Sequence, residues 1–304
     1  MQYSHQSVLL DEAVSLLRPG VGKVIADATL GGGGHARALL EKGASVIGID
    51  RDPGAVQGAT HRLSKFGGSF RAIEGNFEEL EDILRRENAL PVDGLLLDLG
   101  VSSTQLEDPA RGFSFQADGP LDMRMGGEGP TAAEMIRSLG EKELADLIHT
   151  YGEERFARPI ARSLKRTLPQ TTGAAVAAVK KAIPRRAWPA KTHVATKTFQ
   201  ALRIAVNREL EVLDAALEAL PRLLKVGGRA AVISFHSLED RKVKNAFRNL
   251  MGRCTCPPGL PVCACGAKGS FSLLTRKAIT ASDAEVERNP RARSARLRAV
   301  EKVR

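Results

Sequence analysis

The chain has no apolar run of the roughly 20 residues that a bilayer-spanning helix needs, so no membrane span is expected. Its first residues carry Asp11 and Glu12 and lack a basic stretch followed by an apolar one, so no secretory signal is expected and a cytoplasmic setting is. Aromatics make up only 4% of the 304 residues, with a single Trp, which argues against a wide base-stacking platform. Cysteine occurs four times, all in one short stretch, and a cytoplasmic chain rarely keeps disulfides. No internal repeat or low-complexity segment stands out.

What the chain does have is length for one large or two ordinary domains, and 43% hydrophobic residues to build a core. Its net charge of +10 favours a polyanionic partner, of which RNA and DNA are the usual ones. The charge is uneven: residues 288–304 hold seven basic residues and one acid, and so supply +6 of the +10.

Hydrophobic periodicity organises the rest. Residues 7–18 have an amphipathic helical pattern. Strand patterns at 24–27, 45–50, 69–74 and 93–99 then alternate with helical patterns at 35–42, 53–66 and 78–87. Such alternation predicts an α/β fold with a parallel, doubly wound sheet. It stops at residues 103–130, which are rich in Gly, Pro, Asp and Arg and read as a long loop. Helical patterns fill 132–139, 141–149, 153–167 and 172–182, and a Pro-rich basic link follows at 184–191. A long helix over 199–224 is expected to return the chain to the sheet, with strands at 229–235, 271–279 and 295–300 and helices at 238–250 and near Asp283. The expected domains are a first sheet part, 1–105, an inserted all-helical domain with its preceding loop, 106–198, and a second sheet part, 199–304.

The most informative local feature is the run Gly31 to Gly34, which follows the strand ending at Asp27 and opens a helix. Glycines let a backbone turn tightly and approach a ligand, and the helix start offers free amides. The run satisfies the dinucleotide pattern G-x-G-x-x-G/A, which any glycine run can do. Asp27 argues against a pyrophosphate there and suits a cofactor with a cationic amino-acid tail, S-adenosylmethionine. Asp50, closing the second strand, suits ribose hydroxyls, and Phe77, after the third, suits an adenine. Asp98, ending the fourth strand, points to the same crevice, where ligands of such sheets bind.

Several motifs resemble those of the small-subunit ribosomal RNA methyltransferase H family, also called MraW. They are His5-x-x-Val8-Leu9-Leu10-Asp11-Glu12, Asp27-x-Thr29-x-Gly31-Gly32-Gly33-Gly34-His35, Ile49-Asp50-Arg51-Asp52-Pro53, Leu97-Asp98-Leu99-Gly100-Val101-Ser102-Ser103-x-Gln105, Arg111-Gly112-Phe113-Ser114-Phe115, Asp118-Gly119-Pro120-Leu121-Asp122-Met123-Arg124-Met125, Tyr151-Gly152-Glu153-Glu154-Arg155-Phe156-Ala157, Ile233-Ser234-Phe235-His236-Ser237-Leu238-Glu239-Asp240-Arg241 and Asn289-Pro290-Arg291-Ala292-Arg293-Ser294. The resemblance covers nearly the whole chain. It implies a Rossmann-like methyltransferase sheet interrupted by a helical domain, and methylation of the N4 amino group of a cytidine in the decoding region of 16S rRNA. It also implies cofactor contacts at Gly33, Gly34, His35, Asp50, Phe77, Asp98 and Gln105, of which only Gln105 has no independent support from spacing. One departure stands out: many amino-methyltransferases carry Asp/Asn-Pro-Pro-aromatic after the fourth strand, where this chain reads Asp98-Leu99-Gly100-Val101.

The candidate catalytic set is therefore Asp98, as acceptor for the amino protons, with Phe235 and His236 at the base. Ser237 with Asp240 reads as a capping box and hence as structural. Phe113 and Phe115 fit either a lid or a loop anchor. Arg111, Arg124, Arg291 and Arg293 are candidates for RNA phosphates. Cys254-x-Cys256 and Cys263-x-Cys265 suit a tetrahedral structural zinc, with free thiols or reversible disulfides as alternatives. The partner that the resemblance implies is 16S rRNA or the small ribosomal subunit, and the competing functions are an NAD-dependent oxidoreductase and a non-catalytic RNA-binding ribosome assembly factor.

Overall fold

The computed structural model describes residues 7–252 and 269–304. The chain divides into two compact units, Met1–Gly100 with Glu211–Arg304, and Val101–Leu210.

The first unit is built on a seven-stranded sheet. In chain order its elements begin with helix α1 (Leu10–Leu17), strand β1 (Val24–Asp27), α2 (Gly34–Glu41), β2 (Ser45–Asp50), α3 (Pro53–Leu63), β3 (Phe70–Glu74), α4 (Leu80–Arg86) and β4 (Val92–Asp98). The strands lie in the order β3-β2-β1-β4-β5-β7-β6, where β5 is Leu224–Ser234, β6 Phe271–Leu273 and β7 Arg296–Lys302. Strands β1 to β5 are parallel, as the alternation of patterns predicts. Strand order reverses between β1 and β4, and the carboxyl ends of β1, β2 and β4 deliver Asp27, Asp50 and Asp98 around that point. The apolar residues of β4, Leu95, Leu96 and Leu97, are fully buried because helices cover both faces of a parallel sheet.

The basic C-terminal run is not a free tail. Strand β7 threads antiparallel between β5 and β6, with Ile233 opposite Leu297 and Ser272 opposite Glu301. Leu297, Ala299 and Val300 fill the core, while the interleaved cations take fixed partners. Arg298 Nε donates to Asp240 Oδ1 at 2.7 Å, and Lys302 Nζ donates to the carbonyls of Pro221 and Leu224. Strand alternation thus separates apolar from charged positions, and part of the +6 serves the fold.

In the second unit, the segment expected to be a long loop contains α5 (Ser103–Glu107) and a deeply anchored stretch. Phe113, Leu121, Met123 and Met125 are buried in one core with α6 (Ala132–Ser138), α7 (Glu141–Gly152), α8 (Ala157–Thr167), α9 (Thr172–Ala182) and α10 (Thr196–Asn207). Phe115 stacks on His193 at 4.5 Å and meets Phe199 edge-on at 5.1 Å, so Phe113 and Phe115 both anchor the loop. Buried Asn207 accepts from Met125 N and donates to Met123 O, at 2.9 and 2.8 Å. The single helix expected over 199–224 is two helices. Arg208, left-handed with φ 51°, breaks it into α10 and α11 (Glu209–Leu223). Helices α12 (Ser237–Leu250) and α13 (Asp283–Arg288) complete the first unit.

Candidate active site

The glycine run forms a loop stitched to its neighbours by short bonds. Asp27, at the end of β1, turns its carboxylate back to accept from Thr29 N at 3.3 Å and from Ala36 N, closing the loop onto α2. Gly31 N donates to Asp50 Oδ2 at 2.7 Å, and Asp52 N donates to Asp50 Oδ1 at 2.9 Å. Gly33 takes φ 75° as the residue before α2, a conformation that glycine adopts without a Cβ penalty. At Gly34 an added Cβ would collide with Ser7 Oγ, so the backbone is closely packed on this side.

Asp98 is held from two sides. Its backbone N–H donates to Thr29 Oγ1 at 2.6 Å, which fixes the end of β4 against the glycine loop. Its carboxylate Oδ2 lies 3.6 Å from His35 Nδ1. His35 Nε2 is 3.1 Å from the carbonyl of Val8, which can only accept, so Nε2 carries a proton and the ring presents Nδ1 to Asp98. Asp98 Oδ1 is buried with no hydrogen-bond partner among the described residues.

Three acids converge here, and their charge sets the electrostatics. Burial pushes Asp27 up to about 7, against a smaller lowering by its backbone donors. Burial also raises Asp50, opposed by the amides of Asp52 and Gly31. Asp98 stands well above the usual carboxylate range, through burial first and then the charges of Asp27 and Glu239. Its side chain keeps 20% exposure, so the neighbouring acids matter beside burial itself. A crevice lined by carboxyl groups at raised pKa attracts a cation and resists a pyrophosphate. An orphaned acceptor and a glycine cradle therefore fit S-adenosylmethionine, whose amino group and sulfonium are cationic. Asp50 would take its ribose, and Gly33, Gly34 and His35 its amino-acid end.

The fifth strand's end differs from the expected capping pattern by one residue. The N-cap of α12 is His236 rather than Ser237, with His236 Nδ1 accepting from Glu239 N at 3.4 Å. Glu239 Oε2 accepts from Phe235 N at 2.8 Å and from His236 N at 3.3 Å, and Glu239 is only 2% exposed. Asp240 is instead the partner of Arg296 and Arg298. A histidine is an unusual cap, and the serine beside it is the residue type that the position ordinarily favours. Phe235 packs over Gly100, where an added Cβ would meet its ring at 3.5 Å.

The remaining candidates fall in different settings. Phe77 opens a short 3-10 turn and packs partly buried against the sheet core. Gln105, in the helical unit, is buried, and its Oε1 accepts from Ser102 N at 3.0 Å in the capping box of α5. Arg111 donates to the carbonyls of Arg124 and Met125, and Arg124 forms a two-pronged pair with Asp122, both at 2.8 Å. Their guanidinium groups thus brace the loop that carries them. Arg291 and Arg293 are exposed on a 3-10 turn before β7. The four cysteines lie outside the described residues. No helix among the described residues is long and apolar enough to cross a membrane.

The sequence profile of the MraW methylase family matches residues 2–303. The chain belongs to that family. Relatives in the MraW family span its whole length. It is 64% identical over 302 residues to the ribosomal RNA small subunit methyltransferase H of Myxococcus xanthus, covering 99% of this chain and 98% of that one. It is 50% identical over 311 residues to the protein of the same name from Geobacter sulfurreducens, covering all of both. Among solved structures, an rRNA methylase from Streptococcus thermophilus aligns with TM-score 0.39 at 14% identity, covering 97% of this chain and 93% of that one. Membership in a methylase family sets aside the oxidoreductase that the glycine pattern alone allows.

Proposed function

We propose that this chain transfers a methyl group from S-adenosylmethionine to small-subunit ribosomal RNA, at the N4 amino group of a decoding-region cytidine, in the cytoplasm. The observation that carries this reading is Asp98. It sits at the reversal of strand order with an unpartnered buried oxygen, in a chain of the MraW methylase family. When bound, S-adenosylmethionine supplies an electrophilic methyl group.

The chain's own residues do the rest. Asp50, with each oxygen already fixed by one amide, offers its remaining lone pairs to ribose hydroxyls. Phe77, partly buried after β3, would meet the adenine. Cytosine N4 is a poor nucleophile because its lone pair is delocalised into the ring. Asp98 Oδ1 accepts from the amino group, localises that lone pair and takes the proton that leaves the nitrogen. His35 flanks the Asp98 carboxyl on its other oxygen. Phe235 and His236, held by Glu239, contact the flipped-out base in place of the missing aromatic after β4. Arg291 and Arg293 take phosphates. Cys254, Cys256, Cys263 and Cys265 bind a structural zinc, which metal analysis of protein purified without chelator tests.

Asp98→Asn is nearly isosteric and cannot take the proton. It is expected to lower methyl transfer to small subunits lacking the modification by about 10²-fold or more. Mass spectrometry of the RNA should place the wild-type product on a cytidine amino group. Wild-type turnover by the variant, or a methyl group on another atom, would overturn the assignment.

A further inference from the structure

The segment from the end of α9 to the start of α10 takes no part in the chemistry above. It holds five cations and no acid between residues 180 and 191: Lys180, Lys181, Arg185, Arg186 and Lys191. All five are exposed. Three other cations of the helical unit are tied down, Arg162 to Glu141, Arg203 to Glu209 and Lys165 to three carbonyls. Among the described residues, none of these five is paired with a carboxylate. The helix dipole accounts for Lys180 and Lys181 in the last turn of α9, but not for the three cations beyond it.

The sole tryptophan, Trp188, lies within this cluster. Its Nε1 donates to Ile183 O at 3.1 Å, which fixes the ring, and the indole remains partly exposed. Lys180 Nζ and Arg185 Cζ each lie 5.9 Å from the ring centroid. Unpaired cations around one oriented aromatic ring suit a polyanion that carries flat groups.

We propose that this face of the helical unit binds single-stranded ribosomal RNA, its cations taking phosphates and Trp188 stacking on one unpaired base. The proposal rests on ribosomal RNA being the substrate. Duplex RNA hides its base faces, so a stacking ring selects an unpaired stretch.

Because Trp188 is the only tryptophan, its emission reports on this face directly. Titrating oligouridylate into the wild-type protein should quench that emission. The triple variant Arg185→Gln, Arg186→Gln, Lys191→Gln should weaken binding and flatten the plot of log K against log salt by about 2, at roughly 0.7 per lost phosphate contact. Trp188→Leu, followed by anisotropy of labelled oligouridylate, should weaken binding and leave the slope unchanged. Calorimetric binding of S-adenosylmethionine should be equal in all three proteins, which shows that they are folded. An unquenched wild type, or an unchanged slope in the triple variant, overturns the proposal. Polyglutamate competing as well as oligouridylate would overturn the RNA assignment in favour of an acidic protein. If the wild type methylates small subunits and the triple variant does so with equal KM and salt dependence, this surface fails and the methyl-transfer reading holds. If the variants show the RNA-binding differences but the wild type methylates no subunits, the methyl-transfer reading fails and the surface holds.

Discussion

Asp27 is the buried acid whose replacement should improve the fold. Its carboxyl is pushed from 3.8 to about 7, so between these values the folded chain holds a proton that the unfolded chain has released. The sign follows from linkage: a carboxyl raised in the folded state contributes stability that is complete below the unfolded value and lost as pH rises through the folded one. Between pH 5 and pH 8 that loss is about 3 kcal/mol, at about 1.4 kcal/mol per pH unit up to the folded pKa. Asp27→Asn cannot ionise, and its side-chain oxygen can still accept from Thr29 N. The variant should therefore gain on the wild type by about 3 kcal/mol from pH 5 to pH 8. Urea unfolding followed by far-ultraviolet circular dichroism measures this, whereas the fluorescence of Trp188 would report on the other unit. Taking the difference between the two proteins at each pH cancels the titration of distant groups. A difference that stays flat across this range would refute the argument. The same change should act on chemistry, because the charge of Asp27 helps to raise Asp98. The rise of methyl transfer with pH should shift to lower pH in the variant.

Glu239→Ala removes the side-chain acceptor for the amides of Phe235 and His236, the reciprocal half of the capping box of α12, and should destabilise the protein by about 2 kcal/mol by denaturant unfolding. Glu239→Gln keeps an acceptor, removes the charge and should move the pH limb of methyl transfer downward, since Glu239 is one of the groups that raise Asp98. Gly33→Ala places a side chain at φ 75° with its Cβ 3.2 Å from Leu63, and should cost about 1 kcal/mol or more in thermal unfolding while weakening S-adenosylmethionine binding in calorimetry.

The parallel part of the sheet and its three acids are legible from sequence because they rest on local spacing. Strand β1 is found as 24–27 and β2 as 45–50, each closed by an aspartate, since a buried parallel strand is a short apolar run with a polar end. The loop at 103–130 misleads because Gly, Pro and Asp report turn chemistry and say nothing of burial. Its Phe113, Leu121 and Met123 reach a core that is assembled from helices further along the chain. Arg208 is invisible as a helix break because nothing in its residue type demands φ 51°. The cap at His236 is displaced from Ser237 because Glu239 is within reach of the former, which is a matter of backbone geometry.

Composition, motif and strand spacing alone determine an α/β chain and point to Asp27, Asp50 and Asp98 as candidates for a nucleoside cofactor, because such groups are carried by short segments with their own periodicity. The tertiary structure decides what those groups do to one another. Asp27, Asp98 and Glu239 come from three separate elements, and only the order of strands brings their charges close enough to raise the pKa of Asp98. It also decides the fate of the basic C-terminal run, several of whose cations are spent on Asp240 and on backbone carbonyls because β7 is threaded between β5 and β6. Charge is a property of residues, but pairing and burial are properties of contacts made across long separations in sequence, and those belong to the fold.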